Sequence, residues 1–101
     1  MLIVTGHIHV DQLHLAQCVR DLQVLAAAAR QRAGNIAYDF AVATDQNAGR
    51  LLIAESWSDQ SALSAHLDAM DTKAFVREWR DRMQGDIRKY DAANERGLMD
   101  P

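Results

Sequence analysis

The run Leu51-Leu52-Ile53-Ala54-Glu55-Ser56-Trp57 has the length and composition of a strand, and Ala62, Leu63 and His66 follow it at helical spacing. Successive side chains of a strand point to opposite sides, so Glu55 and Trp57 share one face. At its start the run is apolar on both sides, with Leu51 and Ile53 on one and Leu52 and Ala54 on the other. A strand with one solvated face alternates more cleanly than that. Both faces of this strand are therefore expected to be covered, one by helices and the other by a further layer.

Working outward, Leu2 to Val10 also alternates: Leu2, Val4, Ile8 and Val10 lie on one side, Ile3, Thr5, His7 and His9 on the other. Asp11 interrupts it and suits a helix N-cap. Leu15, Ala16, Val19, Leu22, Leu25, Ala26 and Ala29 then recur every three or four residues, which predicts a long amphipathic helix closed by Gly34. Asn35 to Thr44 is a second strand, with Ile36, Tyr38, Phe40 and Val42 on one face. Asp45-Gln46-Asn47-Ala48-Gly49 is turn chemistry of hairpin length, so the strand from Arg50 to Trp57 should return antiparallel. Ser58 or Asp59 caps a short helix to about Leu67, and Asp71 or Thr72 caps another to about Met83, with Phe75, Trp79 and Met83 in one stripe. Gly85 is read as its stop, and Ile87 to Ala92 as a last, weaker strand.

Strand, helix, strand, strand, helix in two pieces, strand is the order of an α+β, ferredoxin-like domain: a four-stranded antiparallel sheet with helices on one face. The extra apolar residues of the third strand predict that the open faces of two copies pack together into a homodimer. Residues 1–92 form the domain and 93–101 a C-terminal tail.

A length of 101 residues leaves room for one core, and 49% apolar with 25% charged residues is the balance of a folded chain. The net charge is −3 and no Lys/Arg run is present, so the electrostatic footprint of a nucleic-acid or membrane-surface binder is missing. No apolar run approaches the ~20 residues of a membrane helix. The sequence opens on a strand pattern without the basic and apolar regions of a signal peptide, and its single cysteine, Cys18, fits a reducing cytoplasm.

Taken together, Ala33-Gly34-Asn35-Ile36-Ala37-Tyr38, Glu55-Ser56-Trp57, Ala62-Leu63 and His66 resemble the antibiotic biosynthesis monooxygenase family, over about residues 1 to 92. The resemblance implies a dimeric ferredoxin-like protein, a dimeric α+β barrel. It also implies one of several chemistries: cofactor-independent oxidation of phenolic compounds to quinones by molecular oxygen, haem degradation, or isomerisation of a small molecule. Some quinone-forming members carry an asparagine four residues before the tryptophan. This chain has Ile53 there, so that polar amide is absent.

His66 is the leading catalytic candidate, because a neutral imidazole titrates near working pH and can take a phenolic or enolic proton. In this reading Trp57 packs on the substrate and excludes water, and Glu55 orients His66 or the substrate. Otherwise Trp57 is simply core and Glu55 pairs with an arginine such as Arg50 or Arg20. Thr5, His7, Tyr38, Ile53 and Leu63 are assigned to the substrate-binding wall. His7 and His9 share a face, yet no third ligand is evident, so no metal site is assigned. No cofactor is expected, haem being the alternative. Cys18 falls on the apolar side of the first helix, where a thiol is inert. Arg77 and Arg80 can meet an anionic substrate, although charged helix faces are ordinarily just solvated.

Overall fold

A computed structural model describes residues 1–44 and 49–101. Strands β1 (Leu2–Val10), β2 (Asn35–Val42), β3 (Arg50–Trp57) and β4 (Met83–Asp91) form one sheet in the order β2-β3-β1-β4, every neighbouring pair antiparallel. Helices α1 (Leu15–Ala29), α2 (Gln60–Asp68) and α3 (Met70–Trp79) cover one face of it. This is the ferredoxin-like α+β arrangement expected from the order of elements. Among the described residues no helix is long and apolar enough to cross a membrane. Of the turn predicted at 45–49, residues 45–48 lie outside the described residues; the antiparallel return of β3 along β2 is as expected.

The alternation in β1 and β3 sets the sidedness. Leu2, Val4, Ile8 and Val10 of β1, and Leu51, Ile53 and Trp57 of β3, are buried beneath the helices with Cys18, Leu22, Ala26 and Trp79. Leu52, on the opposite face of β3, is 42% exposed, and Ala54 beside it is exposed too. The second apolar face inferred from the sequence is thus open in a single chain. The row expected along β2 shrinks to Tyr38 and Phe40. A register irregularity between Asn35 and Ala37 turns Ile36 outward, and Val42 is exposed.

Local signals place the helix starts with mixed success. The Asp11 carboxylate accepts from the Leu13 amide, but it caps a short 3-10 turn (Gln12–His14) that precedes α1. Asp59 accepts from the Ala62 amide and caps α2 as expected. The helix α3 starts at Met70, not at an Asp71 or Thr72 cap, and ends at Trp79. Met83 therefore does not extend the helical stripe. It opens β4, and Gly85 lies inside that strand opposite Ile8 instead of stopping a helix. Gly34 ends the turn after α1 with φ of +82°, and an added Cβ there would collide with the Ala62 side chain and stand 2.7 Å from Ser58 Oγ. The glycine thus allows the α1–β2 connection to lie directly on the start of α2.

Candidate active site

Between the sheet and the helices lies a cavity of about 420 Å³ whose wall is mostly apolar. That volume is within the ~300–1,000 Å³ of small-molecule pockets, so the cavity is not filled by side chains. β3 and α2 bring the chemistry to its inner end. Glu55 follows Ile53 on the covered face, opposite Tyr38 of β2, and His66 comes from the last turn of α2. Of the site residues proposed from the sequence, Tyr38, Ile53, Glu55, Leu63 and His66 line the cavity.

Trp57 does not line it. The indole is fully buried, with its ring 4.8 Å from that of His66 and tilted by 30°, while the Tyr38 ring meets His66 edge-on at 5.5 Å. Trp57 thus lies against the His66 ring and off the cavity wall. Its Nε1–H donates to Glu55 Oε1 at 3.0 Å. That bond is the partner Glu55 needed, so neither an arginine pair nor a bond to His66 holds the carboxylate. Burial pushes the Glu55 pKa up, and the indole bond only partly opposes it. Tyr38 is shifted upward in the same way, by burial and then by Glu55, and stays a neutral phenol.

His66 is 3% exposed, and its Nδ1 contacts Arg32 Nη1, with Thr72 Oγ1 3.5 Å away. The same guanidinium donates to Thr72 Oγ1 at 3.2 Å and ion-pairs with Asp71. Arginine only donates, so Nδ1 must accept, and the neutral ring carries its proton on Nε2. Burial, then the nearby Arg32 charge, lowers the His66 pKa to about 4, with Asp71 opposing. A base needs a free lone pair, which neither nitrogen of this ring offers. Held this way, the ring is neutral with its proton on Nε2, where the sequence led us to expect a base.

Arg32, Asp71 and Thr72 are the participants that sequence reasoning missed. In the sequence Asp71 and Thr72 stand out only as cap candidates. The other correction concerns β1. Thr5 pairs with Ala54 and His7 with Leu52, which puts both on the open face, across the sheet from Glu55. Thr5 Oγ1 donates to the Ile53 carbonyl at 3.2 Å. Neither Thr5 nor His7 lines the cavity. Cys18 is buried, and burial raises its thiol to about 11, as an inert core cysteine requires. Among the described residues no cluster of three or more His, Cys, Asp or Glu side chains is placed to hold a metal ion.

Several solved structures share this architecture. A candidate antibiotic biosynthesis monooxygenase from Deinococcus radiodurans is 24% identical, with a TM-score of 0.89 over 99% of this chain and 100% of that one. An antibiotic biosynthesis monooxygenase of known structure is 22% identical, with a TM-score of 0.83 over 93% of this chain and 100% of that one. A Pseudomonas aeruginosa protein is also 22% identical, at 0.80 over 92% of this chain and 94% of that one. At such identities the likeness shows the fold. No curated protein matches the chain. The family model of antibiotic biosynthesis monooxygenases matches residues 1–82. With most of its length matched, including every residue gathered at the inner end of the cavity, this chain belongs to the antibiotic biosynthesis monooxygenase family.

Proposed function

We propose that the chain is a cofactor-independent monooxygenase acting on a small aromatic or enolic compound. The observation that carries the reading is the apolar cavity closed at one end by a raised-pKa carboxyl, a neutral imidazole and a phenol. Glu55 has one oxygen held by Trp57 and takes the acidic proton of the substrate through the other. Its raised pKa brings it closer to the range where a carboxylate is an effective base. His66 donates from Nε2 to the substrate oxygen as negative charge develops there, and Arg32 holds the ring in that tautomer. The electron-rich anion then reacts with molecular oxygen, a step that rests on family membership. For an anthrone the balance is closed: the methylene loses two hydrogens, one oxygen atom becomes the new carbonyl, and the other leaves as water.

The open sheet face, with Leu52 and Ala54 at its centre, supports the homodimer expected from the sequence, two copies packing these faces together. Light scattering should return twice the monomer mass at micromolar protein. Haem fits this site poorly. Axial ligation by His66 needs a free nitrogen, and releasing Nε2 moves the proton to Nδ1, against the Arg32 N–H donor. The acid–base pair also suits an isomerase, since proton transfer alone interconverts keto and enol forms.

Oxygen uptake with a panel of anthrones and hydroquinones tests the oxygenase reading, comparing the native protein with Glu55→Gln and His66→Ala. Loss of uptake in Glu55→Gln, at least 100-fold in kcat for removal of a general base, is expected. Deuterium entering a substrate from solvent without oxygen consumption would favour the isomerase. Equal uptake in all three proteins would refute the assignment.

A further inference from the structure

The antiparallel register places Tyr38, Glu55, Val4 and Lys89 in one row across the sheet: Tyr38 opposite Glu55, Glu55 opposite Val4, and Val4 opposite Lys89. Directly opposed residues share a face, so Lys89 is on the helix side of the edge strand β4, and it lines the same cavity as Glu55. Two strand spacings of ~4.8 Å separate the Cα atoms of Glu55 and Lys89 by about 10 Å, with the apolar Val4 between them.

The charges at the two ends differ in kind. Among the described residues, Glu55 at the inner end has the only carboxyl group on the cavity wall. At the outer end Lys89 Nζ donates to Gln60 Oε1 at 2.8 Å, an uncharged acceptor on α2. Arg88 lines the cavity too, but its guanidinium is paired with Asp86 at 3.1 Å. Among the described residues Lys89 makes no ion pair, and it stands at the edge of a low-dielectric wall that strengthens the field of an unneutralised charge. Arg77 and Arg80, the cations that the sequence suggested for an anionic substrate, are not on the cavity wall.

We propose that the substrate is an anion with two separated poles: a flat apolar body, an enolic or phenolic group at Glu55 and His66, and a carboxylate about one fused-ring length away at Lys89. The proposal deepens the oxygenase reading and rests on the same cavity. Lys89 orients the substrate along the row and aims its acidic end at Glu55. A neutral compound of equal shape has no such preference between the two ends.

Binding without turnover tests this. Anthraquinone-2-carboxylate and anthraquinone-2-carboxamide differ little in shape and by one charge, and their affinities are measured by calorimetry at low and high salt. The native protein should bind the carboxylate about fivefold more tightly than the amide, the size expected of one partly exposed ion pair, and added salt should shrink the difference. Lys89→Gln should remove that preference and leave the amide affinity unchanged, and Lys89→Glu should reverse the preference. Equal affinity for the two compounds in the native protein, or a preference retained in Lys89→Gln, overturns this proposal alone. Failure of both compounds to bind overturns the oxygenase reading of the cavity, and this proposal with it.

Discussion

Replacing Arg32 by methionine separates the tautomer argument from substrate chemistry, because Arg32 is not on the cavity wall and meets it through His66 and Thr72, of which only His66 carries the proposed proton chemistry. Methionine keeps much of the aliphatic stem and donates nothing. The lost ion pair with Asp71 is partly exposed, 22% and 44% for the two side chains, and contributes at most ~1 kcal/mol. The lost donation to buried His66 adds about 1 kcal/mol. A loss of roughly 1–2 kcal/mol lowers the Tm of a chain of this size by about 5–10 °C, so the variant stays folded near room temperature. The titration of His66 should move more distinctly. Burial, the larger cause of its low pKa, persists; the Arg32 repulsion disappears while the Asp71 attraction remains. The midpoint should therefore rise from about 4 while staying below 6.5, as read by NMR of the imidazole protons. Long-range 1H–15N spectra should show the native ring protonated at Nε2 and the Arg32→Met ring as a mixture, with Arg32→Lys partly restoring the native form. An Nδ1–H ring in the native protein would refute the reasoning, as would a folded Arg32→Met variant with unchanged tautomer and midpoint.

Two further measurements probe the frame around the site. Gly34→Ala forces a side chain into positive φ and against Ala62, so a loss of ~1–3 kcal/mol in denaturant unfolding is expected; an unchanged midpoint would mean that the connection does not rest on α2. The second is the pH dependence of stability. His66 has a lowered pKa in the folded chain, so the unfolded chain binds that proton more tightly. Its stability contribution is complete above about 6.5 and is lost as pH falls toward about 4, by no more than about 3–4 kcal/mol at ~1.4 kcal/mol per pH unit. Glu55 has a raised pKa and acts with the opposite sign, the folded chain holding its proton more tightly as the solution becomes acidic. His66→Gln should therefore flatten or invert the acid slope of urea midpoints between pH 6.5 and 4, and a slope as steep as that of the native protein would contradict the assignment.

The parts of the site that were legible in the sequence are those fixed by one element's own periodicity. Glu55 and Ile53 share a face because a strand repeats every two residues, and His66 joins Leu63 because a helix repeats every three to four. Parity also separates Val4 and Ile8 from Thr5 and His7. The misassignment of that pair came from matching polar residues to a polar site, when the more apolar row of β1 had to be the covered one. The boundary between α3 and β4 failed for a related reason. Met83 continues the Phe75–Trp79 spacing, and both continuations present an apolar residue to the same core. Periodicity cannot choose between them, and β4, an edge strand exposed along nearly all of its length, shows no alternation of its own. Arg32 and Lys89 were out of reach for a deeper reason. Each acts across a gap of more than twenty residues, Arg32 on His66 and Asp71, and Lys89 on Gln60 and the row to Glu55. Such pairings depend on the register of the sheet and the seating of a loop on a helix, neither of which a charged residue's neighbours in sequence encode. The charges that tune this site are thus the least visible part of it. On the proposed mechanism, a change at Arg32 or Lys89 alters the chemistry while every motif that identifies the family stays in place.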